Sequence, residues 1–182
     1  MKMDGKKIAG AGILAALYVA LTYAVLPLAS GAIQMRVSEA LCILPIYSSY
    51  AIPGVTLGCF LANLLSGCAP MDVVFGTLAT LLGAVGTRLL RRFKILPFVP
   101  PVFFNALIIP FVLRYAYQVE DAHMFLVMTV GVGEVLAVGL FGGLLKMFLD
   151  KNRNTVPGID PDYKVRWLGK KTETAEEDSP EA

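Results

Sequence analysis

The sequence predicts an all-α membrane protein, a bundle of six transmembrane helices with both termini in the cytoplasm. Charged residues make up only 16% of the 182 residues, whereas a soluble domain carries about a quarter. Mean hydropathy is +0.65, and apolar segments fill the chain from Ile8 to Leu149. Several segments approach the length of about 20 residues that crosses a bilayer. A single soluble core could not bury so much apolar surface, which excludes a soluble enzyme.

Six apolar runs give the predicted spans. They lie at about 8–28, 37–50, 52–65, 71–90, 96–117 and 125–149. Pro45 and Pro110 fall inside the second and fifth spans, and membrane helices tolerate proline where neighbouring groups satisfy the freed backbone. The second and third spans are short, so a hairpin that dips into the bilayer is the alternative for this pair.

Basic residues predict the orientation. Three groups lie on one side of the bundle: Lys2, Lys6 and Lys7; Arg88, Arg91, Arg92 and Lys94; and Lys146, Lys151 and Arg153. The opposite side has only Arg36 and Arg114. Because loops rich in lysine and arginine stay in the cytoplasm, both termini are predicted there, which requires an even number of spans.

The composition changes after the sixth span and predicts two regions. Residues 1–151 form the transmembrane domain, and residues 152–182 are polar, with an acidic run near the end. Such a composition buries too little apolar surface to fold by itself, so a poorly ordered cytoplasmic tail is predicted.

Ionisable and amide side chains inside the spans are the candidate site residues. Glu134 lies about ten residues into the sixth span, roughly 15 Å along the helix axis. A carboxylate at that depth requires a partner, a proton or a ligand. Asn105 and Asn63 lie within the fifth and third spans, where amides either join helices or contact a ligand. Asp72 begins the fourth span, where helix capping is the alternative.

Arg36 and Glu39 open the second span. Their separation of three residues places them on one helix face, so the alternatives are a local ion pair and the polar lip of a pocket. Together the six polar residues describe a site in the outer half, to which Phe75, Phe103, Phe104, Tyr115 and Tyr117 could add ring faces. Carboxylates accept hydrogen bonds and amides both accept and donate them, which favours a small, flat heterocycle as the ligand.

The first helix carries small residues at a spacing that allows close helix contact. Gly12, Ala16 and Ala20 form one series, and Ala11 and Ala15 form another. Their neighbour is either inside the bundle or in a partner protein.

Sequence motifs exclude several chemistries. The chain has no phosphate-binding loop and no metalloprotease or serine-hydrolase motif, and it has one histidine. We therefore expect no enzyme activity, no metal, no cofactor and no binding of nucleic acid. The three cysteines have no CxxC spacing and are predicted to be packing residues.

Several segments resemble the QueT transporter family. They are GAIQMRVSEAL at 31–41, AIPG at 51–54, DVVFGTLAT at 72–80, Asn105-Ala106 and Gly133-Glu134. The resemblance covers about residues 8–149 and leaves out the tail. It implies a six-helix S-component, the substrate-binding subunit of an energy-coupling factor (ECF) importer, in the cell membrane.

The resemblance also implies a substrate, partners and a mechanism. The substrate is a queuosine precursor, a 7-deazaguanine base. The partners are a transmembrane coupling protein, which the first helix would contact, and two ATPases. The loaded bundle would topple in the membrane to release its substrate. Glu134 or Glu39 would accept from the ring, with Asn105 or Asn63 on the carbonyl side. The alternatives are an S-component for another vitamin or nucleobase, a small ion-coupled permease and a non-transporting adaptor.

Overall fold

The computed structural model describes residues 5–25 and 36–152, and these residues form helices and turns without a strand, which confirms the all-α prediction. The elements in order are α1 (Gly5–Ala24), a 3-10 helix (Val37–Ile46), α2 (Ala51–Leu65), α3 (Pro70–Leu89), a 3-10 turn (Leu96–Phe98), α4 (Val99–Ala116), α5 (His123–Glu134), a π-helical segment (Val135–Phe141) and α6 (Gly142–Lys151). Residues 153–182 of the predicted tail, which include Arg153, lie outside the described residues, as does Lys2.

Four helical stretches are long and apolar enough to cross a membrane. They are Gly5–Ala24, Pro70–Leu89, Leu96–Ala116 and the continuous stretch His123–Lys151, with 20, 20, 21 and 29 residues. The apolar helices Val37–Ile46 and Ala51–Leu65 have 10 and 15 residues. They rise about 20 and 22 Å, less than the roughly 30 Å of hydrocarbon in a bilayer. All six predicted spans contain a helix, while the number of crossings and the orientation stay predictions.

The 3-10 helix forms the centre of the bundle. It contacts α1, α2, α3, α6 and the π-helical segment, and eight of its ten residues are buried. Around it, α1 packs on α2, α2 on α3, α3 on α4, and α4 on α5. An element enclosed on all sides cannot expose polar groups to water, so every polar side chain it carries must find its partners inside the protein.

Glycines let the helices pack at short range. A Cβ atom at Gly58 would lie 2.6 Å from the Cβ of Tyr18 and 3.1 Å from the Cα of Ala15, so α1 and α2 are in near-backbone contact there. On the other side of the bundle, a Cβ at Gly83 would lie 2.8 Å from the Cα of Pro101. These contacts fix the separation between neighbouring helices.

A tight turn joins α2 to α3. Gly67 has φ +69°, a left-handed conformation that glycine adopts without strain. Its N–H donates to the C=O of Leu64 at 3.2 Å, and the N–H of Cys68 donates to the C=O of Asn63 at 3.1 Å. This pair of bonds is the Schellman motif of a helix C-terminus. The turn places Asn63 beside Asp72 at the start of α3.

Side chains close the C-terminal end of the 3-10 helix. Arg88 Nη1 donates to the C=O groups of Pro45 and Ile46 at 3.0 and 3.4 Å, which are helix-terminal carbonyls without a partner in their own helix. The hydroxyl of Tyr47 donates to Asp150 Oδ1 at 2.7 Å. The central helix is therefore anchored to α3 and α6 at this end.

Replacement of Gly58 by alanine should destabilise the bundle. The new methyl group would overlap Tyr18 and force α1 and α2 apart, and such overpacking lowers stability by about 1–3 kcal/mol. The free energy of unfolding, measured by SDS titration in lipid micelles, tests this expectation. Gly12→Ala is the control, because a Cβ at Gly12 meets nothing within 4 Å. Equal stability of the two variants would contradict the proposed contact.

Candidate functional site

Buried polar side chains gather in the interior of the bundle. Five of the six residues predicted from the sequence are less than 5% exposed: Glu39, Asn63, Asp72, Asn105 and Glu134. The side chain of the sixth, Arg36, is 24% exposed. These residues come from the 3-10 helix and its N-terminus, α2, α3, α4 and α5. The fold thus withdraws the predicted polar side chains from the surface.

The carboxylate of Glu39 is enclosed by three donors, which we call the Glu39 cluster. The hydroxyls of Tyr18 and Thr80 donate to Oε1 at 2.5 and 3.0 Å. The thiol of Cys42 donates to Oε2 at 3.0 Å. Both oxygens therefore have partners, and these come from α1, α3 and the 3-10 helix itself.

A second group, the Arg36 cluster, consists of Arg36, Asn63, Asp72 and Tyr117. Arg36 Nη2 forms an ion pair with Asp72 Oδ2 at 3.3 Å, and Nη1 donates to Asn63 Oδ1, also at 3.3 Å. The hydroxyl of Tyr117 donates to Asp72 Oδ2 at 3.0 Å. Asn63 Nδ2 donates to the backbone carbonyl of Asp72 at 3.3 Å. The cluster ties α2, α3 and the C-terminal end of α4 to the start of the 3-10 helix.

These contacts decide between local and long-range pairing. The described ion pair of Arg36 joins Asp72, 36 residues away, although spacing alone had also allowed a local pair with Glu39. Asp72 lies in the first turn of α3, but the N-cap residue is Ala69, which makes no side-chain capping bond. The carboxylate of Asp72 is used for tertiary contacts.

Cys59 connects the two clusters. Its sulfur lies 3.3 Å from Thr80 Oγ1 and 3.7 Å from Asn63 Nδ2. Gly76 makes room beside them, because a Cβ there would lie 3.0 Å from both Asn63 Nδ2 and Asp72 Oδ1. Asp72, Gly76 and Thr80 follow one another at intervals of four, and this polar or small stripe on α3 faces the clusters. Cys42, Cys59 and Cys68 are free thiols.

Asn105 and Glu134 form a third group with different properties. They are 3% and 4% exposed. The Asn105 amide lies close to the Glu134 carboxyl group but does not form a well-aligned hydrogen bond with it, and Glu134 is near enough to Glu39 and Arg36 to interact electrostatically. Within residues 5–25 and 36–152, neither Asn105 Nδ2 nor Glu134 Oε2 has a hydrogen-bond partner. Ser66 Oγ and Asp72 Oδ1 share this property, but they lie near the ends of α2 and α3.

The backbone changes geometry next to Glu134. The residue ends α5, and the π-helical segment Val135–Phe141 begins directly after it. This segment packs against the 3-10 helix, and a Cβ at Gly142 would approach the C=O of Ala40 to 3.4 Å. Short π-helical turns within α-helices are frequent at functional sites. Both buried glutamates therefore lie in or beside a segment that departs from α-helical geometry.

The predicted aromatic residues mostly lie on the outside. Phe75, Phe103 and Tyr115 are 41%, 55% and 67% exposed. Phe75 lines an apolar hollow of about 250 Å³ between α3 and α4. Of the five aromatic residues, Tyr117 contributes a polar contact to the Arg36 cluster.

The two series of small residues on α1 have different environments. Ala11 and Ala15 are buried, and they face Gly54 and Gly58 of α2. Gly12, Ala16 and Ala20 are exposed. The first series is a contact within the bundle, and the second remains available on its surface.

Several site residues were not found from the sequence. Tyr18 and Thr80 bind Glu39, and Thr22 Oγ1 donates to Ser38 Oγ at 2.9 Å. Tyr18 and Thr22 are one turn apart on α1, as Gly76 and Thr80 are on α3. A search for polar or small residues repeating at intervals of four would have indicated both faces.

A family model described as QueT transporter matches residues 8–151, which include all six predicted site residues. The chain belongs to the QueT transporter family. Within this family it is 41% identical over 85 residues to the queuosine precursor transporter QueT of Lactococcus lactis subsp. cremoris (strain MG1363). That match covers 45% of this chain and 50% of the relative, so the alignment spans about half of the relative's length. No solved structure matches the chain.

Loss of the Tyr18 hydroxyl should destabilise this QueT family member. Tyr18→Phe would leave one bond to Oε1 of Glu39, from Thr80, inside a buried site. Removal of a buried hydrogen-bond partner lowers stability by about 1–3 kcal/mol. SDS titration of the purified protein measures the change. Tyr23→Phe on the same helix is the control, because Tyr23 is 43% exposed. A Tyr18→Phe protein as stable as the control would show that the bond contributes nothing.

Proposed function

We propose that this chain is the substrate-binding S-component of an ECF-type importer for a queuosine precursor. It captures a 7-deazaguanine base from outside the cell and releases it inside by toppling while docked on its energising module. The observation that carries the proposal is a set of buried carboxylates and amides, Glu39, Glu134, Asn63 and Asn105, within a membrane-type helix bundle. Membership of the QueT family supports the same substrate class.

The chemistry of the buried groups suits such a base. A 7-deazaguanine ring carries N–H donors and a carbonyl acceptor along one flat edge. Carboxylates accept such donors, and amide nitrogens donate to such carbonyls. A buried site with these groups rejects analogues that lack the matching polar atoms, because its own groups then remain unpaired. Specific uptake of one heterocycle requires that kind of discrimination.

The proposed topology places the site in the outer half of the plasma membrane. The basic residues Arg91, Arg92 and Lys94 follow α3 and belong on the cytoplasmic side by the positive-inside rule. The Arg36 cluster lies at the opposite end of α3 and therefore faces outward. The 3-10 helix and α2 complete six crossings in this arrangement, and both termini are cytoplasmic.

The exposed series on α1 is the proposed docking surface. Gly12, Ala16 and Ala20 leave a shallow strip along the helix, and small residues allow another helix to approach closely. The proposed partner is the transmembrane coupling protein, which is bound in turn to two ATPase subunits. Ala11 and Ala15 support docking indirectly, because they hold α1 against α2.

A 7-deazaguanine base should stabilise the purified protein against heat. A ligand that binds only the folded state adds about 2.7 kcal/mol of stability at a concentration 100 times its dissociation constant. Thermal unfolding in detergent, with 7-deazaguanine bases, guanine, thiamine, riboflavin and folate tested separately, measures the shift. A shift with another vitamin instead would keep the S-component assignment and change the assigned substrate. No shift with any compound would contradict the S-component assignment and favour the permease or adaptor alternatives.

Bulky residues on the exposed series of α1 should prevent docking without affecting the ligand. Gly12→Leu together with Ala16→Leu would hold a partner helix away and weaken the contact by about 1–3 kcal/mol. Co-purified ATPase should fall by about tenfold, while stabilisation by the ligand persists. Gly143→Leu on α6 is the control, because a Cβ at that glycine also meets nothing within 4 Å. Unchanged ATPase recovery with the α1 variant would remove this face as the docking surface.

A further inference from the structure

We propose that the two buried glutamates and the two buried asparagines divide into a structural pair and a substrate-reading pair. Glu39 and Asn63 hold the site together, whereas Glu134 and Asn105 bind the substrate and determine its specificity. This assignment rests on the proposed function and adds to it which residues contact the base and through which edge.

Both carboxylate oxygens of Glu39 already accept hydrogen bonds from the protein, which leaves little capacity for a ligand. Its Oε1 accepts from Tyr18 and Thr80, its Oε2 accepts from Cys42, and the residue is 1% exposed. A substrate could reach this carboxylate only by displacing hydroxyl or thiol donors that connect the central helix to α1 and α3. Glu39 is therefore a positioning residue.

Asn63 is occupied in the same way. Its Oδ1 accepts from Arg36, and its Nδ2 donates to the backbone carbonyl of Asp72. Both ends of the amide are used, and the partners hold the junction of α2 and α3 against the start of the 3-10 helix. Like Glu39, it supports the site without a free polar atom to offer.

The other glutamate and the other asparagine do have such atoms. Glu134 Oε2 and Asn105 Nδ2 are buried and make no hydrogen bond of good geometry with the described residues, although the Asn105 amide lies close enough to the Glu134 carboxyl group to interact with it. An unpaired polar atom inside a protein is unfavourable, because it has lost water and gained nothing in return. Most native buried polar atoms are paired. A donor and an acceptor that lie close together without forming a well-aligned bond with each other leave both atoms available to a ligand that pairs with each of them.

The two atoms define the edge that they recognise. Asn105 Nδ2 donates, so it requires a carbonyl or ring acceptor, and Glu134 Oε2 accepts, so it requires an N–H beside that acceptor. A lactam edge, with C=O next to N–H, provides both. The six-membered ring of a 7-deazaguanine has such an edge at O6 and N1–H. Its C7 substituent lies on the five-membered ring, on the side of O6 and away from N1–H.

Ligand-free stability tests the division without reference to any substrate. Glu39→Gln and Asn63→Leu should lower the apparent melting temperature in detergent, because each breaks existing hydrogen bonds. Their matched counterparts Glu134→Gln and Asn105→Leu should leave it unchanged or raise it, because the altered atoms had no partner. If Glu39→Gln does not fold, Thr80→Val provides the milder test, since it removes one donor to Glu39 at nearly constant shape. A drop for Glu134→Gln as large as that for Glu39→Gln would overturn the division.

Binding measurements test whether Glu134 and Asn105 recognise the lactam edge of the base. Calorimetry with a 7-deazaguanine base should show at least a tenfold loss of affinity for Glu134→Gln and Asn105→Leu, or about 1.4 kcal/mol. The analogue 2-amino-7-deazapurine lacks O6 and carries no hydrogen on N1. It should bind the wild-type protein at least tenfold more weakly, and this discrimination should be smaller in Asn105→Leu, where only the contact of Glu134 with N1–H remains.

The outcomes separate this inference from the proposed function. Wild-type affinity in both Glu134→Gln and Asn105→Leu would overturn the substrate-reading pair while leaving the S-component role intact. If Asn105→Leu still discriminates against 2-amino-7-deazapurine as strongly as the wild-type protein does, recognition of the lactam edge through Asn105 is wrong. If the wild-type protein binds no 7-deazaguanine base, both the proposed substrate and the proposed recognition of its lactam edge are wrong. The ligand-free melting temperatures would still test whether the two pairs of residues have different roles.

Discussion

The enclosure of Glu39 at the centre of an apolar bundle is the constraint on which the remaining structure depends. A carboxylate that faces neither water nor lipid must receive its hydrogen bonds from the protein. Tyr18, Cys42 and Thr80 supply them, and they belong to three different helical elements. The site is therefore connected to the packing of the whole bundle, because α1, α3 and the central helix must meet at one carboxylate.

Small residues allow the helices to pack closely enough for these donors to reach Glu39. Lipid tails are as apolar as leucine, so helices in a membrane associate through close packing and hydrogen bonds. Gly58 lets α1 approach α2 closely enough to hold Tyr18 in place, and Gly76 leaves room for Asn63 and Asp72. Larger residues at these positions would separate the helices, and the donors could no longer reach their acceptors.

Sequence reasoning succeeded where one physical signal dominates. Apolar length predicted all six helical segments, and the expense of burying Glu134 or Asn105 in lipid marked them as interior residues, which they are. It could not give the partner of Arg36, because Asp72 is 36 positions away and spacing arguments reach only one or two turns. It also could not separate Ala11 and Ala15 from Gly12 and Ala16, since both series have the same four-residue spacing.

The departures from α-helical geometry have a common physical basis. Val37–Ile46 is a 3-10 helix that contains Pro45, and Val135–Phe141 is π-helical, and such segments form less favourable hydrogen bonds than an α-helix does. Tertiary packing must stabilise them, and the two segments lie against each other. One presents Glu39 to its donors, and the other follows Glu134 at the point where its carboxyl group has an unpaired oxygen. A bundle of regular helices would satisfy its backbone more easily, but it would have less freedom to bring the Glu39 carboxylate into a closed network while the Glu134 carboxyl group keeps an unpaired oxygen.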